Sequence, residues 1–394
     1  SSKAVMASPV DTSVKFFSSS MFGAPNTLRG AAGLGLGVLR ACLKDGFGEV
    51  TLTSLVVSGG IATASLPGAH AAVVDSVVLL SGVTDKTALN GEQKVTARFG
   101  NTLSFATAVP DGTASGTILL RMAPAGWTEE FTGTNMAAFR PPAIDSIRPY
   151  LKVTDTATLD MRMIGYEAMT SITVGTGMFP TTAQLSGGTF WGKAETTAAG
   201  ANPWILVADG KRMYFFVCTN YVADNASTAF CGNGFGDFKS LRSSADPYAI
   251  FLTGGGASLD WTKSLGLQMR SSSLFTPRSH SGTGTAQQMD TSSSVGATVA
   301  SGGTPGRFGA YPGLADALYM SNTLVAVTGL GLGPRGKLAG IWPVPQAVPP
   351  GTFAANDTVA GGGETAGRRL LVVPVGDTPT AVGTPLLIDI TGPW

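Results

Sequence analysis

Four acidic residues near the middle of the chain are the best candidates for general acid–base chemistry. They belong to a region of apolar, aromatic-rich runs, and they are Asp155, Asp160, Glu167 and Asp237. A glycosidase needs two carboxylates that face each other across a sugar cleft, and sequence spacing does not show which of these groups face each other. Turn and cap positions suit all four, so we interpret them as structural residues.

Five aromatic residues of the same region are candidates for a platform on which a sugar ring stacks: Trp191, Trp204, Tyr214, Phe215 and Phe216. Two apolar runs, 204–208 and 213–217, stand on either side of Asp209-Gly210. Asp-Gly between such runs is the strongest local signal of a β-hairpin. Aromatic residues at hairpin spacing more often belong to a core, and we predict that role for these five.

Histidine and cysteine are too few for the common metal and nucleophile sites. The chain has two histidines, His70 and His280, and we predict that His70 lies in a solvent-facing loop. The cysteines form no C-x-x-C pair and cannot all pair with one another, which predicts reduced, buried thiols at Cys42, Cys218 and Cys231. The sequence therefore predicts no catalytic residue and no metal site.

A glycine pattern near the N-terminus superficially resembles a dinucleotide-binding fingerprint. Gly33-Leu-Gly-Leu-Gly37 follows no predicted strand and lacks the third glycine at the correct spacing. The same pattern recurs at 329–333, where Pro334 follows it and favours a loop. We therefore predict no cofactor.

The unusual feature of the composition is its low charge. Charged residues make up 13% of the chain, against about 25% in typical globular domains. A surface with so little charge is poorly soluble as a free monomer, so we expect copies of the chain or partner proteins to cover much of it. The alternative is a β protein whose surface is solvated by Gly, Thr and Ser.

Net charge and apolar runs exclude several classes of partner. The net charge of +1 creates no field that attracts nucleic acid or an anionic membrane. No apolar run approaches the ~20 residues that span a bilayer, and the N-terminus lacks the apolar region of a signal peptide. We expect no direct nucleic-acid contact, no membrane insertion and no secretion.

The first segment, 1–48, divides into an arm and a helix. Residues 1–28 are rich in Ser, Pro and Thr, with apolar anchors such as Phe16 and Phe17, which predicts an extended arm that becomes ordered on another surface. The best helix candidate is 28–47, where Lys44-Asp-Gly46 provides a stop. Glycines within it weaken the helix but allow another backbone to approach closely.

The remainder of the chain is predicted to form mainly β-strands. Residues 49–123 contain six short β-branched runs separated by turns, which predicts a small β-sandwich or barrel module. A larger antiparallel β domain follows at 124–270. Then come a Ser/Thr/Gly-rich loop at 271–306, too long for an ordinary connection, and a C-terminal β segment at 307–394 that ends on a packed Trp394. The predicted fold class is mainly β and multi-domain, with one short N-terminal helix.

Short motifs over most of the chain resemble a family of tailed-bacteriophage virion proteins that are described only as structural. The motifs are 14–17, 21–25, 41–48, 89–96, 114–118, 131–135, 165–169, 234–238 and 388–394. None of them carries chemistry, so the resemblance implies a role as a component of the particle and no catalytic residues.

Composition and resemblance together predict a non-enzymatic virion structural protein, assembled in the host cytoplasm. We expect a symmetric homo-oligomer in the tail, neck or tail-tip region, with itself and other virion proteins as partners, because arms and edge strands are satisfied by neighbours in closed assemblies. One alternative is a capsid-surface decoration or head-fibre protein. A second is a carbohydrate-binding receptor-recognition protein.

Overall fold

The computed structural model describes residues 8–25, 28–197, 200–219, 230–242, 246–258, 273–291, 309–312, 317–327, 333–349, 351–375 and 385–394. Within these ranges the protein is built from antiparallel strands and one short α-helix. The predicted mainly β class is therefore confirmed.

Thirty strands occur in the described part of the chain. The first third holds β1 (Lys15–Ser18), β2 (Phe47–Thr51), β3 (Ser54–Ser58), β4 (Ile61–Ser65), β5 (Val77–Ser81), β6 (Gly91–Lys94), β7 (Ala97–Phe99), β8 (Thr102–Ala106), β9 (Gly112–Thr113) and β10 (Leu119–Met122). The middle holds β11 (Thr128–Gly133), β12 (Met136–Arg140), β13 (Tyr150–Thr154), β14 (Asp160–Tyr166), β15 (Ala168–Met169), β16 (Gly175–Thr176), β17 (Thr189–Gly192), β18 (Trp204–Ala208), β19 (Arg212–Val217), β20 (Cys231–Asp237), β21 (Lys239–Ser240) and β22 (Ile250–Gly254). The last third holds β23 (Ser273–Thr276), β24 (Gln287–Thr291), β25 (Thr323–Val327), β26 (Gly336–Leu338), β27 (Ile341–Pro343), β28 (Thr358–Ala360), β29 (Arg369–Pro374) and β30 (Pro385–Asp389).

The helix is shorter than predicted. α1 covers Leu34–Arg40 and continues as a π-helical turn over Ala41–Asp45. It does not begin at residue 28 because Gly33, the residue before the helix, has a φ of +79°, outside the right-handed helical region. The predicted stop is confirmed, since Gly46 ends the turn with a φ of +75°.

The N-terminal arm packs on its own chain. β1 pairs antiparallel with β18, and Phe16 and Phe17 are buried. The prediction that this arm becomes ordered only on another surface is wrong for residues 14–18. Their apolar strand pairs with β18 of the same chain and so completes that edge of the sheet. Phe22 remains 59% exposed.

The first β module is a pair of facing sheets. Their strand orders are β2–β10–β5–β6 and β7–β8–β4–β3–β9, and their inward apolar residues join one core. Six strands were expected, and nine are formed. One of the six predicted runs, at 73–80, becomes strand only at Val77, because Asp75 has a φ of +69°, outside the extended region.

The largest sheet contains ten strands in the order β1–β18–β19–β20–β22–β23–β24–β25–β26–β21. The Asp209-Gly210 hairpin is confirmed: Ala208 pairs with Met213, and the Asp209 carboxylate accepts the backbone N–H groups of Lys211 and Arg212 at 2.8 and 2.7 Å. The loop expected at 271–306 is partly strand, because β23 and β24 lie within it and complete the sheet. Residues 292–306 of that expectation lie outside the described residues.

This sheet curls back on itself. β21 directly follows β20, and it pairs with β26 at the far end of the strand order. The strands from β20 to β26 therefore form a ring. Closure brings the Phe238 ring against Gly336, where an added Cβ would lie 2.3 Å from the ring, so only glycine fits this position.

The remaining sheets flank the ring. β11, β12, β13, β14 and β17 form one, β15 and β16 a small pair, and β27–β30–β29–β28 another. The main cluster of buried apolar residues runs from Val14 to Ile390, and the predicted domain boundaries at 48, 123, 270 and 306 stay predictions. The C-terminus is packed as predicted, with the Trp394 ring 5.6 Å from that of Tyr214.

Candidate functional site

Asp155 is a structural cap and not a free acid. Its carboxylate accepts the backbone N–H of Leu36 at 2.9 Å, at the start of α1, and contacts the ammonium of Lys193. That ammonium also donates to the carbonyl oxygens of Ala31 and Ala157 at 2.7 and 2.8 Å. Both side chains are fully buried, and burial raises the pKa of the Asp155 carboxyl. With all three of its donors used, Lys193 holds the loop before α1 against β13 and β17.

The other three carboxylates also have partners. Asp160 accepts the hydroxyl of Ser258, and Glu167 forms a two-pronged ion pair with Arg278 at 2.6 and 2.9 Å. Asp237 is buried and accepts the backbone N–H of Ile147 at 3.0 Å; burial raises the pKa of its carboxyl. The cap role predicted for Asp155 is confirmed. Asp160 and Asp237 lie in β14 and β20 and not at turns or caps, and Glu167 is held by an ion pair instead.

The five aromatic candidates form core and not a sugar platform. Each is at most 1% exposed. The indole N–H groups of Trp191 and Trp204 donate to backbone oxygens of Thr253 and Pro25 at 2.6 and 2.7 Å. The prediction of a core role is confirmed.

The prediction for His70 is wrong. Its ring is only 4% exposed, and burial lowers the pKa of the imidazole. Ala71 and Ala72 beside it are also buried, so this part of the connection between β4 and β5 packs into the module and does not face solvent. Among the cysteines, Cys42 and Cys218 are buried as predicted, and Cys231 is partly exposed.

An open cleft of about 690 Å³ lies on the C-terminal sheet. Alternation along β27, β29 and β30 turns Ile341, Leu371 and Ile388 toward the main core. It turns their neighbours toward a second, smaller apolar cluster that forms the floor of the cleft, with Leu370 and Leu387 among them. The strands of a sheet that is covered on both faces have continuous apolar sequences. Such a sequence does not show which face carries a site, so the cleft was not predicted.

Four aromatic residues line this space, which we term the aromatic cleft: Tyr311, Tyr319, Trp342 and Phe353. Tyr319 is 44% exposed, and the other three are half-buried. The rings of Tyr311 and Phe353 are 5.6 Å apart at 41°. The cleft therefore combines a covered apolar floor with aromatic walls that solvent reaches.

Buried hydrogen bonds hold these walls in place. The side chain of Gln346 is fully buried; it accepts the backbone N–H of Tyr319 at 2.8 Å and donates to the carbonyl of Ala317 at 3.1 Å. The backbone N–H of Tyr311 donates to Ala347 at 2.8 Å. The segment that carries Tyr319 is thus clamped to the turn after β27, so the cleft is preformed.

The rim of the aromatic cleft is polar. It includes Asn322 and the short 3-10 turn Gly363–Thr365, in which Thr365 donates to Gly362 at 3.0 Å and Glu364 is exposed. Glu364 is the sole Asp, Glu, Lys or Arg among the described lining residues. The indole Nε1 of Trp342 is shielded from solvent and has no acceptor in the described chain.

A second surface stands out on the first β module. The strands β3, β4, β7, β8 and β9 form one sheet, and the side chains on its outer face carry no charge. These side chains are Ser54, Val56, Ser58, Ile61, Thr63, Ser65, Ala97, Phe99, Thr102, Ser104, Ala106 and Thr113. We term this outer face the uncharged face. Val56, Ile61 and Phe99 are 39%, 50% and 87% exposed. The opposite sheet of the module carries ordinary surface charges, such as Arg121 beside Glu49 at 3.9 Å.

Comparison with known proteins does not define a family. No family model matches the chain, and no curated protein is similar to it. One solved structure to which the chain is aligned is the phage phi92 endosialidase, at 13% identity, over 88% of this chain and 71% of that one, with a TM-score of 0.14. A TM-score this low carries no argument about fold or function.

Two kinds of feature are absent from the described residues. No helix among them is long and apolar enough to cross a membrane. They also contain no group of three or more His, Cys, Asp or Glu side chains that is arranged to hold a metal ion.

Proposed function

We propose that this protein is a structural subunit of a tailed-bacteriophage particle and that it assembles with copies of itself in the tail, neck or tail-tip region. The motif resemblance supports the particle role. The uncharged face carries the assembly part of the proposal.

An antiparallel sheet that faces water on one side normally alternates apolar and polar residues, with charges on the wet face. The uncharged face departs from that rule over five neighbouring strands. Protein interfaces are depleted of charged residues at their centres, and contiguous exposed apolar groups mark interaction sites. Val56, Ile61 and Phe99 supply such groups here.

A second copy of the chain is the occupant that this surface fits best. In a two-fold interface the same patch meets itself, so any net charge on the patch repels its own copy. A face without charge meets an identical face with no such penalty. The strands β7 and β9 are its edges, and at three and two residues both are too short to template open-ended pairing.

The experiment is the molar mass of the purified chain by light scattering, with a matched pair of variants. Ile61 and Val174 are β-branched residues with 50% and 56% exposure, and Val174 lies in a turn away from the uncharged face. We expect a concentration-dependent oligomer for the wild type and for Val174→Lys, and a monomer for Ile61→Lys with an unchanged melting temperature.

Two outcomes contradict the assembly proposal. One is a wild-type monomer at every concentration; the other is an Ile61→Lys protein that still assembles like the wild type. The particle role is tested separately, by mass spectrometry of purified particles. A copy number that matches the capsid lattice and not a tail ring would favour the capsid-decoration alternative.

A further inference from the structure

We infer that the aromatic cleft binds a neutral oligosaccharide. This inference rests on the cleft alone and does not depend on the assembly proposal. Its volume of about 690 Å³ falls in the range of ~300–1,000 Å³ that is typical of small-molecule sites.

The chemistry of the walls selects the ligand class. A sugar ring has apolar C–H faces and a rim of hydroxyl groups, and aromatic side chains that are covered on one side and wet on the other suit such a mixed surface. The rings of Tyr311, Tyr319 and Phe353 supply the apolar contacts, while Asn322 and Glu364 on the rim supply hydrogen-bonding groups. An entirely apolar ligand would leave that rim without partners.

The charge of the cleft argues for a neutral ligand. Glu364 is the lone formal charge among its described lining residues, so a carboxylate or phosphate ligand meets repulsion with no compensating cation. A quaternary ammonium is the other common ligand of aromatic cages. The ammonium group itself offers no hydrogen-bond acceptor, however, and the cleft contains a donor that needs one.

That donor is the indole N–H of Trp342, which is shielded and lacks an acceptor in the part of the chain that the structure describes. A shielded donor without an acceptor is unfavourable, and a hydrogen bond from this N–H to a ligand hydroxyl oxygen would remove that penalty. We therefore assign Trp342 as the residue that orients the sugar, with Tyr319 as its stacking partner.

The test is titration calorimetry of the full chain with maltotriose, cellotriose, chitotriose, sialyllactose and choline. We expect at least one neutral trisaccharide to bind with a Kd in the ~millimolar range or tighter, and sialyllactose and choline not to bind. Trp342→Phe keeps an aromatic ring, although a smaller one, and removes the N–H, and it should weaken binding about fivefold to tenfold. Tyr319→Ala should weaken it further.

Control variants separate binding from folding. Phe22 is 59% exposed and does not line the cleft, so Phe22→Ala should bind like the wild type. Glu364→Gln removes the lone charge among the described lining residues of the cleft and should relax the exclusion of sialyllactose. Glu130→Gln, at an exposed position that does not line the cleft, should leave that exclusion unchanged. Melting temperatures of Tyr319→Ala and Trp342→Phe show whether each variant folds.

Three results overturn the inference. The first is no heat with any neutral trisaccharide up to ~10 mM, which corresponds to negligible affinity. The second is binding that Tyr319→Ala and Trp342→Phe both leave unchanged while folded. The third is binding of choline without any neutral sugar, which makes the cleft a cation site.

Discussion

Two regions of this protein treat charge in opposite ways: the interior contains buried ion pairs, whereas one exposed face of the first β module carries no charge. Two ion pairs, Lys193–Asp155 and Arg335–Asp246, are almost completely buried. The uncharged face, in contrast, is exposed over five strands and carries none. Charged residues make up only 13% of the chain. The buried pairs use some of these charges to hold internal segments together, whereas the lack of charge on the uncharged face favours contact with another protein.

The Arg335 pair shows how a buried charge is made tolerable. Its guanidinium donates to both carboxylate oxygens of Asp246 at 2.8 and 2.9 Å. It also donates to the carbonyl oxygens of Arg278 and Tyr248 at 2.8 and 3.0 Å. One side chain thereby ties the strand β26 to the segments beside β22 and β23, across the ring.

The largest expected effect is the loss of Arg335. Arg335→Leu leaves the Asp246 carboxylate buried without its partner, and such a change costs about 3–5 kcal/mol. Urea unfolding should show a clearly lower midpoint. Arg29→Leu, at an exposed position, is the matched control and should shift stability by less than about 0.5 kcal/mol.

The double variant Arg335→Leu with Asp246→Leu sharpens this result. It removes both charges, so it should recover part of the loss. If the single and double variants are equally unstable, packing and backbone hydrogen bonds, and not the lone charge, account for the cost.

The second effect is a pH-dependent loss at Lys193. Lys193→Met leaves Asp155 without its ammonium, which raises further the pKa that burial already raises. The folded-state pKa then lies above the unfolded one, so the folded state binds the proton more tightly, and stability increases as pH falls through that raised pKa.

Unfolding of Lys193→Met at pH 5 and pH 8 checks this sign. We expect the deficit against wild type to be smaller at pH 5. Lys152→Met, a partly exposed lysine on β13, should show no such difference. An equal deficit at both pH values would mean that the carboxylate stays charged and is stabilised by the N–H of Leu36.

The smallest effect on stability is expected on the uncharged face. Phe99 is 87% exposed, so Phe99→Asp should change the free energy of unfolding of the monomer by less than about 0.5 kcal/mol. It should nevertheless weaken self-association, because it places a charge opposite its own copy. Sedimentation velocity measures the self-association. A large loss of stability with unchanged self-association would contradict the prediction.

Local chemistry explains which parts of the fold could be predicted. The Asp209-Gly210 hairpin and the stop at Gly46 depend on residues within one turn of each other, and both were predicted. The core role of Trp191 and Trp204 followed from their spacing. The burial of His70 was missed, because it depends on two sheets that face each other.

The aromatic cleft was missed for a related reason. Trp342 alternates with Ile341 and Pro343, which reads as an ordinary strand, and nothing in that run indicates which face stays open. Tyr311, Tyr319 and Phe353 belong to separate segments of the chain. Backbone contacts and the side chain of Gln346 hold these segments around the cleft. Convergence of this kind is a property of the tertiary structure, so a single sequence does not show it.

The pairing of β1 with β18 has a consequence for the order of folding. It places Lys15 opposite Ala208, so roughly two hundred residues must be synthesised before the first strand finds its neighbour. Pairings over such separations are slow to form because the intervening loop must close first. Until then Phe16 and Phe17 have no β18 to pack beside on the nascent chain, so apolar surface that the folded protein buries stays exposed during synthesis.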